Sequence, residues 1–258
     1  MKKCVLITGA ASGIGLATAR EFASHDYDLI ITGRREEKLN TIKEELVNKY
    51  QVEIQTLSFD VRIQSECAEA VSSIHRPIDI LLNNAGLAKG LDFIYEGNLE
   101  HWEQMIDTNV KGLLYMTRLI SPGMVERKSG HIINICSTAG KEIYPKGNVY
   151  CATKFAVDAL TKGIRADLYT HGIRVSQVSP GHVEETEFAR VRFDGDTEKA
   201  AIYNDFNPLT SKDVAEAIYF IASRPAHVNV QDILMMGTQQ AGSMMVDRSG
   251  RKFDSSQG

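Results

Sequence analysis

Cysteine is scarce in this chain of 258 residues: there are four, Cys4, Cys67, Cys136 and Cys151. They form no C-x-x-C pair and no metal-ligand spacing, which argues against a zinc site or a disulfide framework. Small buried thiols in a reducing, cytoplasmic setting are expected instead. No apolar run approaches the ~20 residues that a membrane helix requires. The basic start, Met1-Lys2-Lys3, leads into an apolar run too short for a secretory signal, so it reads as a buried first strand. Neither sign of charge dominates. The 29 Lys and Arg against 33 Asp and Glu leave a net −4, mild and of the wrong sign for a nucleic-acid binder. There is no repeat at a solenoid period, no low-complexity linker and no charge block to mark a second domain. What is present is 43% hydrophobic and 24% charged residues, enough to bury a core and too apolar for a disordered chain.

Apolar, β-branched runs alternate with longer amphipathic segments along the chain. Strands are predicted over Val5–Thr8, Leu29–Thr32, Ile54–Leu57, Ile80–Leu82, His131–Cys136, Ile173–Val178 and Ile233–Met235. Helical periodicity shows over Gly15–Ser24, Glu36–Lys49 and Phe155–Tyr169. Nearly continuous apolar strands alternating with helices predict a single α/β domain, residues 1–246: about seven parallel strands, doubly wound, with helices on both faces. Two polar stretches break the rhythm. Residues 184–207 are too long for an ordinary connection and are expected to form a substrate lid or to be disordered. Residues 247–258 are expected to fray as a tail.

The first predicted strand runs into Thr8-Gly9-Ala10-Ala11-Ser12-Gly13-Ile14-Gly15. Glycines at these positions permit a tight turn, close approach to a pyrophosphate and close packing of helix on strand. The second strand ends in Arg34 and Arg35, where a carboxylate would suit the free 2′-hydroxyl of NAD. Two guanidiniums there suit a 2′-phosphate, hence NADP(H), although they also serve to solvate a helix start. Against that bland role, cations oppose the dipole of a helix N-terminus. Asp60 and Val61, after the third strand, offer either an adenine contact or a helix cap. Asn83-Asn84-Ala85-Gly86 is either a plain turn or a place for the adenine ribose to pass close to backbone.

Ser137 follows the fifth strand, Tyr150 comes thirteen residues later, and Lys154 lies one helical turn beyond Tyr150. Residues four apart share a helix face, so the two polar tips converge. A tyrosine is a poor base, with an ordinary pKa of about 10; a nearby ammonium favours its phenolate. Such a tyrosine suits proton exchange with an alcohol/carbonyl pair while a nicotinamide moves the hydride, with Ser137 holding the substrate oxygen.

Taken together, these residues resemble the short-chain dehydrogenase/reductase family over nearly the whole chain. Thr8–Gly15 resembles its glycine motif, Asn83–Gly86 its Asn-Asn-Ala-Gly segment, and Ser137, Tyr150 and Lys154 its catalytic serine, tyrosine and lysine. The resemblance adds Asn109, implied to hold a water beside the lysine, and Pro180-Gly181, implied to shape the nicotinamide pocket. Val183 and Thr186 are implied to follow, in a segment one residue longer than the commonest spacing. A homotetramer built from the helices after Asn109 and from Tyr150 is implied as well. Thr32–Arg35, Met105–Asn109, Pro122–Arg127, Thr186–Phe188, Val191–Phe193 and Pro225–Asn229 resemble one branch, the NADP-dependent 3-hydroxy acid dehydrogenases that also oxidise serine and allo-threonine. Such substrates call for a cation near the pocket; Lys141, Lys146, Arg190 and Arg192 are the candidates. A reductase of 3-oxoacyl thioesters or other carbonyls is the alternative within the family. A non-catalytic dinucleotide sensor is the alternative outside enzymes. No metal, membrane or nucleic-acid partner is expected.

Overall fold

The computed structural model describes residues 2–196 and 203–253. Seven strands, all parallel, form one sheet: β1 Cys4–Ile7, β2 Asp28–Gly33, β3 Ile54–Ser58, β4 Ile80–Asn83, β5 Gly130–Ile135, β6 Ile173–Pro180 and β7 Asp232–Met235. Their spatial order is β3-β2-β1-β4-β5-β6-β7. β1 is the pivot, with Val5 beside Leu29 on one edge and Ile80 on the other. Winding proceeds outward from β1 in both directions, so connections leave a crevice above the carboxyl ends of β1 and β4. The predicted strands all form, with ends shifted by one or two residues.

Both faces of β1 are buried, which is why its sequence is apolar throughout rather than alternating. Val5 and Ile7 join one core layer with Phe22, Leu29, Ile31 and Ile218. Cys4 and Leu6 join the other with Ile30, Leu81, Met116 and Ile132. The first layer is covered by α1 (Gly13–Ser24), α2 (Glu36–Tyr50) and α8 (Ser211–Ala222), and the second by α3 (Gln64–Ser72) and α5 (Leu113–Arg127). Phe22 is fully buried and meets Tyr27 and Tyr219 edge-on, with centroids 5.1 and 5.6 Å away. Phe22→Ala is expected to cost about 3–5 kcal/mol, the usual range for an emptied aromatic site, read as a lower urea midpoint with an unchanged slope.

Further elements are α4 (Leu99–Ile106), α6 (Asn148–Leu168) and the short α7 (Phe188–Arg192). α6 starts seven residues before the predicted helix, so it takes in Tyr150 and Lys154. A π-helical turn, Asp107–Gly112, joins α4 to α5. Such one-turn bulges re-aim side chains, and here the turn carries Asn109. All four cysteines are free and buried. Among the described residues no helix is long and apolar enough to cross a membrane.

The tail differs from expectation over its described part. Arg251 forks onto Glu184, with both contacts at 2.9 Å, and the amides of Lys252 and Phe253 donate to Asn207 at 2.6 and 2.9 Å. A polar composition hid these specific partners in the segment after β6. The expected lid is described over 184–196 and 203–207. Its residues 197–202, and 254–258 of the tail, lie outside the described residues.

Candidate active site

A cavity of about 610 Å³ opens above the carboxyl ends of the strands. That is within the common range for small-molecule sites. Gly9, Ser12, Gly13 and Ile14 line it after β1, with Arg34 and Arg35 after β2 and Asp60 and Val61 after β3. Asn84, Ala85 and Gly86 line it after β4, Ser137 after β5, and Pro180, Gly181, Val183 and Thr186 after β6. Tyr150 and Lys154 reach it from α6. Two sequence-predicted residues lie behind the wall, Gly15 and Asn109.

The glycine turn has the geometry its sequence demands. Gly9 and Gly13 have φ of +69° and +53°, where a side chain is strained. A Cβ on Gly9 would press the Ala85 Cα at 3.0 Å. Gly15 packs too closely against the Gly9 carbonyl and Asn84 for any side chain. No side chain caps α1, although Ser12 occupies its N-cap position. The uncapped helix N-terminus therefore presents free N–H groups beside the cavity, which suits a pyrophosphate.

At the end of the cavity beside β2 and β3, Arg62 forks onto Asp60 at 2.6–3.0 Å. Burial opposes ionisation of Asp60, but the Arg62 bonds outweigh it and hold the carboxyl below its ordinary value. Asp60 is thus already committed to a partner. Arg34 stays exposed and only 3.9 Å from that carboxylate. Arg35 turns to the loop after β6, contacting Glu187 at 2.7 and 2.9 Å and donating to Ser12 Oγ at 3.3 Å. Lys38, in the first turn of α2, also reaches Glu187, at 3.1 Å.

At the other end, Tyr150 is only 8% exposed and faces Phe188 edge-on at 5.7 Å. Burial pushes its phenol well above the ordinary value and Tyr144 adds to this, while the Ser137 hydroxyl and the Arg192 charge pull the other way. Burial lowers the pKa of Lys154, whose Nζ donates to the Ile135 carbonyl at 2.9 Å and lies 6.0 Å from the Tyr150 ring centroid. Desolvation, rather than the lysine charge, is the larger influence on this phenol. Ser137 Oγ accepts from the Ala139 amide at 3.1 Å, which orients the hydroxyl. Asn109 accepts from the Leu87 amide and donates to its carbonyl, both at 2.8 Å, and donates to Thr153 Oγ1 at 3.0 Å.

With this geometry in place, the family described as short chain dehydrogenase matches residues 3–196. The chain belongs to the short-chain dehydrogenase family. A relative from Salmonella typhi, NADP-dependent 3-hydroxy acid dehydrogenase, is 46% identical over 250 residues, 95% of this chain and 99% of that protein. Sulfoacetaldehyde reductase 2 from Chromohalobacter salexigens is 43% identical over 254 residues, 96% of this chain and all of that one. A solved structure of the closed form of serine dehydrogenase complexed with NADP+ superposes with a TM-score of 0.88. It is 45% identical and covers 92% of this chain and 96% of that one.

In this short-chain dehydrogenase the four candidate cations separate cleanly. Lys141 is paired with Asp158 and, at 2.6 Å, Asp232, and lies off the cavity. Lys146 is exposed over the Phe93 ring at 4.5 Å, and Arg190 faces solvent from α7. Arg192 alone of the four lines the cavity, at 9% exposure. Its Nε donates to the Gly90 carbonyl at 3.2 Å and its Nη1 to Tyr144 Oη at 3.1 Å. Its Nη2 is buried and has no hydrogen-bond partner among the described residues.

Sequence reasoning missed Lys38, Tyr144, His182, Glu187, Tyr203 and Arg248. Lys38 follows Arg34 and Arg35 at helical spacing, a signal that was there to read. Tyr144, His182, Tyr203 and Arg248 line the cavity from segments far apart in the chain, and no local pattern joins them.

Proposed function

We propose that this chain is an NADP(H)-dependent oxidoreductase acting on a short 3-hydroxy acid or 2-amino-3-hydroxy acid and the matching carbonyl compounds. The single observation that carries the substrate class is Arg192, a buried guanidinium on the cavity wall with one nitrogen unpartnered among the described residues. An unsatisfied buried charged donor is costly, and a substrate anion would relieve that cost. The cofactor reading is supported by the strained glycine turn, the uncapped α1 and the Arg34, Arg35 and Lys38 cluster. When bound, the nicotinamide would take the hydride from the substrate carbinol carbon or return it to the carbonyl carbon.

The protein's own groups handle everything else. Tyr150 gives or takes the proton at the substrate oxygen, and Ser137 Oγ donates to that same oxygen and fixes it. Lys154 holds the nicotinamide ribose and favours the phenolate. Asn109 pins the Leu87 turn on one side and Thr153 of α6 on the other, which sets the position of that helix beside the turn. Gly86 lies against this group: a Cβ there would come within 3.2 Å of Asn109 Oδ1 and 3.6 Å of Lys154 Nζ. That crowding suits a water relay rather than a bulky side chain. Leu114 on α5 and Phe155 on α6 remain exposed, at 39% and 42%, and a homotetramer would cover them.

The same guanidinium would hold a sulfonate. A sulfoacetaldehyde-type aldehyde is the second reading, favoured because the acidic groups lining the cavity among the described residues, Asp60 and Glu187, sit at the adenosine end. Initial rates with NADP+ on 3-hydroxypropionate, L-serine, L-allo-threonine and isethionate test the proposal directly. Oxidation of 3-hydroxypropionate at least ten times faster than of a neutral alcohol of equal length is expected. Turnover confined to neutral alcohols or to 3-hydroxyacyl thioesters would overturn it.

A further inference from the structure

Glu187 stands where two functions meet. On its N-terminal side Thr186 packs against Gly13 of the glycine turn, so close that a Cβ on Gly13 would lie 3.1 Å from its methyl. On its C-terminal side begins α7, which carries Phe188 against Tyr150 and ends on Arg192. The Glu187 carboxylate itself points away from both, to the cation cluster at the end of β2. It takes a fork from Arg35, at 2.7 and 2.9 Å, and a third bond from Lys38 at 3.1 Å. The Arg35 bond, more than Lys38 or Ser12, holds the carboxyl down at about 2.

The cluster therefore already grips an anion, and that anion belongs to the lid. We propose that Glu187 is an internal competitor of the cofactor 2′-phosphate: its carboxylate latches α7 to Arg35 and Lys38 until the phosphate takes those cations and releases it. The inference rests on the proposed role of Arg35 and Lys38 as the 2′-phosphate site. Two anions cannot share one fork and one ammonium without strong mutual repulsion, so the phosphate, carrying more charge and more acceptor oxygens, displaces the carboxylate. NADH brings only a hydroxyl to this point and leaves the latch closed. Occupation of the adenosine end is thereby signalled to the segment bearing Arg192, the residue assigned to the substrate anion. Glu187 is a positioning and specificity residue; it touches no reacting atom.

Binding of NADPH, NADH, 2′-AMP and 5′-AMP to wild type and Glu187→Gln, measured by fluorescence or calorimetry at low ionic strength, tests the latch. Glu187→Gln is expected to tighten NADPH and 2′-AMP about five-fold, as loss of a partly exposed competing ion-pair network predicts, and to leave NADH and 5′-AMP within two-fold. In wild type, 2′-AMP but not 5′-AMP is expected to speed amide hydrogen exchange over residues 187–193, and in Glu187→Gln that response should vanish. Weaker or unchanged NADPH binding in the variant, equal tightening of NADH, or no exchange response to 2′-AMP would each overturn the latch. Arg35→Ala separates the two levels. Equal loss of NADPH and NADH affinity in that variant would sink the phosphate site itself. A selective NADPH loss beside an inert Glu187→Gln would sink only the latch.

Discussion

Tyr150→Phe is expected to lower kcat by roughly 10³-fold while NADPH affinity stays within a few-fold, since positioned acid–base groups contribute about 10²–10⁴. The substitution removes one hydroxyl and keeps the ring that packs on Phe188 and Arg192. Folding should therefore be nearly unaffected, and thermal unfolding of the variant provides the control. The effect should fall on kcat rather than KM, because the proton moves only as the carbinol becomes a carbonyl or the reverse. Burial already holds this phenol protonated. It is thus poised to donate in the reductive direction and needs a nearby positive charge to accept in the oxidative one. Steady-state rates in both directions check the point. Turnover within ten-fold of wild type would remove Tyr150 from the proton path.

How much of this was legible in the sequence depends on how far apart the cooperating residues lie. The glycine turn, the Ser137 strand end and the Tyr150–Lys154 pair are each contiguous or one helical turn apart, so local spacing encodes them. The parallel sheet was legible too, because strands buried on both faces must be apolar at every position, as in Cys4–Ile7. The start of α6 was not. Gly147 occupies its N-cap position, so no side-chain cap announces the helix. The choice among Lys141, Lys146, Arg190 and Arg192 was also illegible. All four are cations in polar stretches, and only tertiary packing buries one of them and pairs another with Asp158 and Asp232. Glu187 shows the same limit more sharply. Its partners Arg35 and Lys38 lie about 150 residues earlier, and nothing local distinguishes it from its exposed neighbour Glu185.

Arg192→Met is the companion experiment, expected to lower kcat/KM for 3-hydroxypropionate by about 10²-fold. A hydrogen bond to a charged group is worth about 1.5–3 kcal/mol, and a buried one between opposite charges belongs at the upper end. Methionine fills much of the same volume among Tyr144, Tyr150 and Phe193, so the α7 packing is retained. The loss should fall on anionic substrates and spare a neutral alcohol of equal length, which never used the charge. A cycle of wild type and variant against anionic and neutral substrates isolates that coupling. Arg192→Lys should recover only part of it, because an ammonium cannot keep the Gly90 and Tyr144 contacts and also present a donor where Nη2 lies. Arg192 also donates to the Gly90 carbonyl and to Tyr144 Oη, so a purely structural role would depress both substrates equally. Selective loss on the anion therefore carries the assignment, and uniform loss would move Arg192 from substrate recognition to lid architecture.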